Sequence, residues 1–185
     1  ILELLAGTDD RTLVICLISG GGSALMPAPS EGISLGEKQE TTRLLLACGA
    51  NIVELNAIRK HLSQVKGGGL ARAAFPATVV ALMLSDVIGD PMDVIASGPT
   101  VPDTSTFHTC MEILKNYELV GEVPAAVRTR FEAGVNGRVP DTPKPGHEAL
   151  SRCQNLVVGS NGLAVDAARE KAAELGYNAL VLSTR

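Results

Sequence analysis

The chain has 185 residues, 16 Lys plus Arg against 20 Asp plus Glu for a net charge of −4, 45% hydrophobic residues, 3% aromatics and no Trp. That length and composition fit one α/β domain with a real core. The absence of a basic block and of aromatic platforms argues against a nucleic-acid surface, and the longest apolar runs are too short to span a membrane, so a small-molecule partner is expected.

At its start, ILELLAG from Ile1 reads as a helix already under way, and the chain stops at Arg185 shortly after an apolar run. The sequence therefore reads as a piece of a longer protein, a single truncated α/β domain over residues 1–185. Thr12 to Ile18 is a continuous apolar and β-branched run, the pattern of a strand buried on both faces. It stops abruptly in Ser19, Gly20, Gly21, Gly22 and Ser23. Three glycines at a strand end leave backbone N–H groups uncovered by any Cβ and allow positive φ, so an anion can sit against the main chain. A plain tight turn between strand and helix is the alternative reading. Leu25 stands where the third glycine of GxGxxG belongs, no Lys follows as in a P-loop, and neither Ser23 nor Ser97 lies in a GxSxG elbow.

Met26 to Gly36 is Pro- and Gly-rich and reads as a surface loop. Ser34 then caps a helix running through Leu44 to Ala47, and Asn51 with Glu54 makes a capping-box start to a second. On that second helix Asn56, Arg59 or Lys60, and Ser63 share a face, with Lys66 at the exit beside Gly67, Gly68 and Gly69. The set reads either as a cationic edge with a further anion nest at the glycines or as a solvated basic face with a glycine cap.

A second strand is expected over Ala77 to Leu84. It runs into Ser85, Asp86, Gly89 and Asp90, then Ser97, Gly98 and Thr100. Asp86 and Asp90 supply hard oxygens of the kind that hold Mg²⁺ beside a nucleotide or accept a hydroxyl proton, while Asp caps on ordinary turns look the same in sequence. Helices are expected over Thr106 to Tyr117, Pro124 to Ala133, and Leu163 to Leu175 with Gly176 as a stop; Asn136 to His147 reads as loop. Two further strands are placed at Asn155 to Val158, followed by Ser160 and Asn161, and at Ala179 to Leu182. Alternating strands and helices imply a three-layer α/β/α fold with a mostly parallel, Rossmann-like sheet, whose ligands collect beyond the strand carboxyl ends.

Cys16, Cys48, Cys110 and Cys153 have neither metal-site nor disulfide spacing, which favours a reducing compartment. The cytoplasm and the mitochondrial matrix both fit. His61, His108 and His147 occur in separate contexts and read as structural or exposed, and the four Met residues as gap-fillers.

ISGGGSALMPAP, NAIRKHLSQVKGGGLA and LSDVIGDPMDVIASGPTVPD, in that order, closely resemble the class II glycerate kinase family, whose second domain is called MOFRL; VVGSNGLAVDAA fits the same family. The resemblance implies an enzyme that moves the γ-phosphoryl of ATP to a hydroxyl of D-glycerate with Mg²⁺, in a cleft between this domain and the C-terminal domain of the same protein. It maps the family's glycine loop onto Ser19 to Ser23, its helix-end set onto Asn56, Arg59, Ser63 and Lys66, and its SDVxGD block onto Ser85, Asp86, Gly89 and Asp90. Phosphoryl transfer needs charge neutralisation and positioning, so we expect Lys66, Arg59 and Asp86 in catalytic roles. Substrate or phosphate contacts are expected from Ser19, Gly20, Gly21, Gly22, Ser23, Asn56, Ser63, Gly67, Gly68, Ser97, Ser160 and Asn161. Asp86 and Asp90 are the expected metal ligands. A reductase using NAD(P)H on hydroxypyruvate or tartronate, and a non-catalytic phosphometabolite-binding module, are the alternatives. A homodimer is left open.

Overall fold

The computed structural model describes residues 1–183. Its sheet has three parallel strands, β1 (Leu13–Ile18), β2 (Thr78–Ser85) and β3 (Cys153–Ser160), in the order β1-β2-β3. Leu17 pairs with Leu82 and Leu82 with Leu156. A register shift between Met83 and Leu84 then sets Ser85 opposite Ser160, bringing both strand ends to one rim.

Among the described residues eight helices accompany the sheet: α1 (Leu2–Leu5), α2 (Gly22–Leu25), α3 (Leu35–Ala47), α4 (Ile52–His61), α5 (Gly69–Ala74), α6 (Phe107–Asn116), α7 (Ala125–Val135) and α8 (Asn161–Glu174). Local chemistry sets their starts. Ser34 accepts from the Glu37 amide while Glu37 caps back, and Asn51 with Glu54 and Thr106 with Thr109 repeat the exchange. Each such cap stabilises its helix by about 1 kcal/mol. Ser160 caps α8, so the end of β3 passes directly into a helix.

Three buried apolar clusters result among the described residues. Leu45, Ile58, Leu62, Cys110, Leu114, Val127 and Phe131 join α3, α4, α6 and α7 into a helical core away from the sheet. Burying a side chain such as Phe131 or Leu114 contributes roughly 2 kcal/mol. Val65, Leu70 and Ala74 pack with Val79 in a second cluster, and Ile95 packs with Ile18, Ala81 and Met83 in a third, both on one face of the strands.

Two expectations are corrected. The strands alternate in burial along their length: Leu13, Ile15 and Leu17 of β1 and Leu156 and Val158 of β3 are exposed, so the described residues cover one face of the sheet. Their continuous apolar runs are nonetheless what a two-sided strand requires. Ala179 to Leu182 forms no strand and lies open, with Leu182 88% exposed, because among the described residues no neighbouring strand pairs with it.

Candidate functional site on the glycine loop

The loop after β1 turns on Gly21, whose φ of +80° places it in the left-handed region that glycine enters at no steric cost. Its neighbours are closely approached by other residues. A Cβ on Gly20 would sit 2.8 Å from Asp86 Oδ2, and one on Gly22 would sit 3.1 Å from Ala96 Cβ. The amide of Gly22 donates to Ser19 O, whereas those of Gly20, Gly21 and Ser23 donate to no acceptor among the described residues.

Ser23 is the hub. Lys66 Nζ donates to its carbonyl at 2.7 Å and its Oγ at 3.0 Å, and an Arg59 Nη donates to the same Oγ at 2.8 Å. Ser97 Oγ lies 2.8 Å from Ser23 Oγ and donates to Asn56 Oδ1 at 3.4 Å. All three sequence blocks thus meet at one serine. Arg59 arrives from the last turn of α4, Lys66 from the segment after it, and Ser97 from a single 3₁₀ turn, Ile95–Ser97. In that turn Ala96 and Ser97 have φ of +51° and +62°. A non-glycine residue in this region costs roughly 1–2 kcal/mol, strain of the kind that concentrates at functional sites.

The cations have no acidic counterpart: among the described residues neither Lys66, Arg59 nor Lys38 makes an ion pair. Lys66 is buried, and burial, then repulsion from Arg59 and Lys38, pulls its ammonium down to about 7. Lys38, buried with Nζ on Pro27 O at 2.6 Å, falls to about 8 by burial and the Arg59 charge. Burial also lowers the Arg59 guanidinium. A bound anion would relieve both the repulsion and the lost solvation. Sequence reasoning missed Lys38. Its signal was a lysine on the α3 face that also carries buried Thr41 and Leu45, at i+3 and i+7.

Beside this hub a cleft of about 720 Å³ opens at the carboxyl ends of all three strands, lined by Ser19, Gly20, Asp86, Ser160 and Asn161. Asp86 is exposed there; Asp90 closes the following turn, its amide on Val87 O, and does not line the cleft. Among the described residues no group of three or more His, Cys, Asp or Glu side chains is placed to hold a metal.

Three assignments change. Gly67 and Gly68 form no anion nest: their amides donate to Ser97 O at 2.9 Å and Gly98 O at 2.7 Å, and both residues are buried. They fasten the Lys66 segment to the Ser97 turn, and their positive φ values are why glycine stands there. Ser63 does not share the Asn56 face, because α4 ends at His61; its Oγ donates to the Pro27 and Ala28 carbonyls at 3.3 Å.

Of the three histidines read as structural or exposed, His61 is buried, within a network that sequence reasoning did not see. Its Nδ1 lies 2.8 Å from Ala57 O and its Nε2 2.7 Å from Asp141 Oδ1, and Lys60 Nζ is 3.4 Å from Asp103 Oδ1. Burial alone would raise the Asp141 carboxyl, but hydrogen bonds from His61 and Lys144 hold it well below the usual carboxylate range. This network anchors the α4 end that carries Arg59.

Fold and site together define a parallel α/β domain with an uncompensated basic site on a glycine loop. The chain matches the DUF4147 family, a domain of unknown function, over residues 1–132, and it belongs to that family. It is 53% identical to a glycerate kinase of Rattus norvegicus over 95% of this chain and 32% of the relative. A glycerate 2-kinase of Pyrococcus horikoshii is 43% identical over 99% of this chain and 41% of its own length. The crystal structure of a Thermotoga maritima glycerate kinase, 43% identical, superposes with a TM-score of 0.85 over 98% of this chain and 41% of that one. The chain thus spans between about a third and two fifths of the relatives it matches.

Proposed function

We propose that this chain is the anion-holding α/β part of a glycerate kinase, transferring the γ-phosphoryl of ATP to a hydroxyl of D-glycerate. The observation that carries the reading is the buried, unpaired Lys66 beside Arg59, both hydrogen-bonded to Ser23 of the glycine loop. The names of the relatives support the substrate, and the Pyrococcus relative supports the 2-hydroxyl as acceptor.

In the transfer the glycerate oxygen attacks the γ-phosphorus, the bond to the ADP oxygen breaks, and the hydroxyl proton is lost. Lys66 and Arg59 would stand against the negative charge on the transferring group, and the amides of Gly20, Gly21 and Ser23, with no acceptor among the described residues, are available to its oxygens. Ser97 and Asn56 fix the Ser23 hydroxyl, so the cations are positioned before substrate arrives. Asp86, exposed on the cleft beside Gly20, is placed to take the hydroxyl proton; where Mg²⁺ is bound, the same carboxylate would hold it and the proton would pass to solvent in the open cleft. One carboxylate on an open cleft fits Mg²⁺, which commonly binds through one or two carboxylates plus phosphate oxygens and neutralises phosphate charge.

The activity belongs to the longer protein, and the isolated 185 residues are expected to be inactive. An ADP-release assay beside an NADH absorbance assay on the full-length protein with glycerate, ATP and hydroxypyruvate tests the reading. ADP release dependent on glycerate supports it, and NADH consumption without ADP release points to the reductase.

A further inference from the structure

On another side of the molecule a pocket of about 530 Å³ is lined by Arg72 of α5, Arg130 of α7 and Arg138 of the segment that follows, together with Gln64, Ser30 and Glu31. None of the three guanidiniums is ion-paired among the described residues. Two of them are tied to backbone carbonyls: Arg130 Nε donates to His61 O at 2.9 Å and an Arg72 Nη to Asp141 O at 3.4 Å. Arg130 also stacks its guanidinium 5.8 Å from the Phe107 ring centre. Burial, then repulsion from Arg72, lowers the Arg130 guanidinium, with Glu31 opposing weakly. Arg138 is exposed and makes no side-chain hydrogen bond among the described residues.

Three guanidiniums against one carboxylate leave the pocket with excess positive charge. Fixed planar forks are the groups that grip phosphate oxygens in pairs. The volume lies within the range of small-ligand sites and exceeds what a bare phosphate ion fills. We infer that this pocket is a second anion site, separate from the Ser23 hub, that binds the phosphate group of a small phosphomonoester. Arg130 and Arg72 hold the carbonyls of His61 and Asp141, whose side chains pair with each other at 2.7 Å, so an occupant would bear on the end of α4 that carries Arg59.

The test is calorimetric titration of the full-length protein at constant ionic strength, in a Lys66→Met background that mutes the first site. The probes are glycerol 3-phosphate, inorganic phosphate, and glycerol as control. Saturable binding of glycerol 3-phosphate, weakened about tenfold or more in Arg72→Gln/Arg138→Gln, is expected, with inorganic phosphate binding more weakly and glycerol not at all. Arg138→Gln alone, at an exposed and unbonded side chain, should cost about threefold, which keeps the test decisive if the double variant fails to fold. No saturable phosphate binding in the Lys66→Met background, or unchanged affinity on loss of Arg138, overturns the inference.

Discussion

Lys66 combines a cost to the fold with its proposed role at the substrate. Its ammonium is buried without a carboxylate and held down to about 7, against 10.5 for an ordinary lysine. Lys66→Met removes a charge that burial and repulsion from Arg59 and Lys38 disfavour in the folded state. We therefore predict that the variant melts at the same temperature or higher while kcat/KM of the full-length enzyme falls about 100-fold or more. Between about pH 7 and 10.5 the native state binds fewer protons at Lys66 than the unfolded chain, so the parent's penalty is complete below 7 and fades as pH rises. The stability gap between variant and parent should be widest near pH 6.5 and nearly closed at pH 10, measured by urea unfolding. Asp86→Asn is expected to weaken the Mg²⁺ dependence of turnover; an unchanged Mg²⁺ titration with normal turnover would assign Asp86 to the turn alone.

Helix α7 presses on the core through a missing side chain. A Cβ on Gly134 would collide with the ring of buried Phe107. Helix propensity alone predicts that Gly134→Ala gains about 1 kcal/mol, whereas overpacking predicts a loss of about 1–3 kcal/mol. We expect the loss, read as a lower denaturant midpoint. Elements of this kind divide what the sequence makes legible from what it does not. Ser34 with Glu37 and Asn51 with Glu54 announced their helices, because a cap is satisfied by neighbours three residues away. The parallel sheet followed from the alternation of strands and helices. Arg59, Lys66, Ser97 and Asn56 were legible as candidates, and their meeting at Ser23 was not, since it depends on the Gly67 and Gly68 amides docking on Ser97 and Gly98. The same glycines looked like an anion nest because sequence cannot tell an open amide from one already bonded. Asp103 and Asp141 were invisible as partners of Lys60 and His61 for a like reason: their pairing spans about forty and eighty residues of chain.

The whole chain presents an apolar sheet face, with Leu17 79% and Val158 54% exposed, next to strand ends that carry the polar cleft. A contiguous apolar face of this kind promotes association in water. The isolated 185 residues are predicted to bind a hydrophobic dye and to self-associate at micromolar concentration, checked by fluorescence and light scattering. The basic hub, the Asp86 cleft and the similarity to glycerate kinases all support the proposed phosphoryl transfer to a small hydroxy acid. Phosphorus NMR of the full-length protein with ATP, Mg²⁺ and D-glycerate tests that most directly. The account predicts equal growth of ADP and 2-phosphoglycerate signals, abolished in Lys66→Met. Intact ATP with no phosphoglycerate, or undiminished product formation by Lys66→Met, would contradict it.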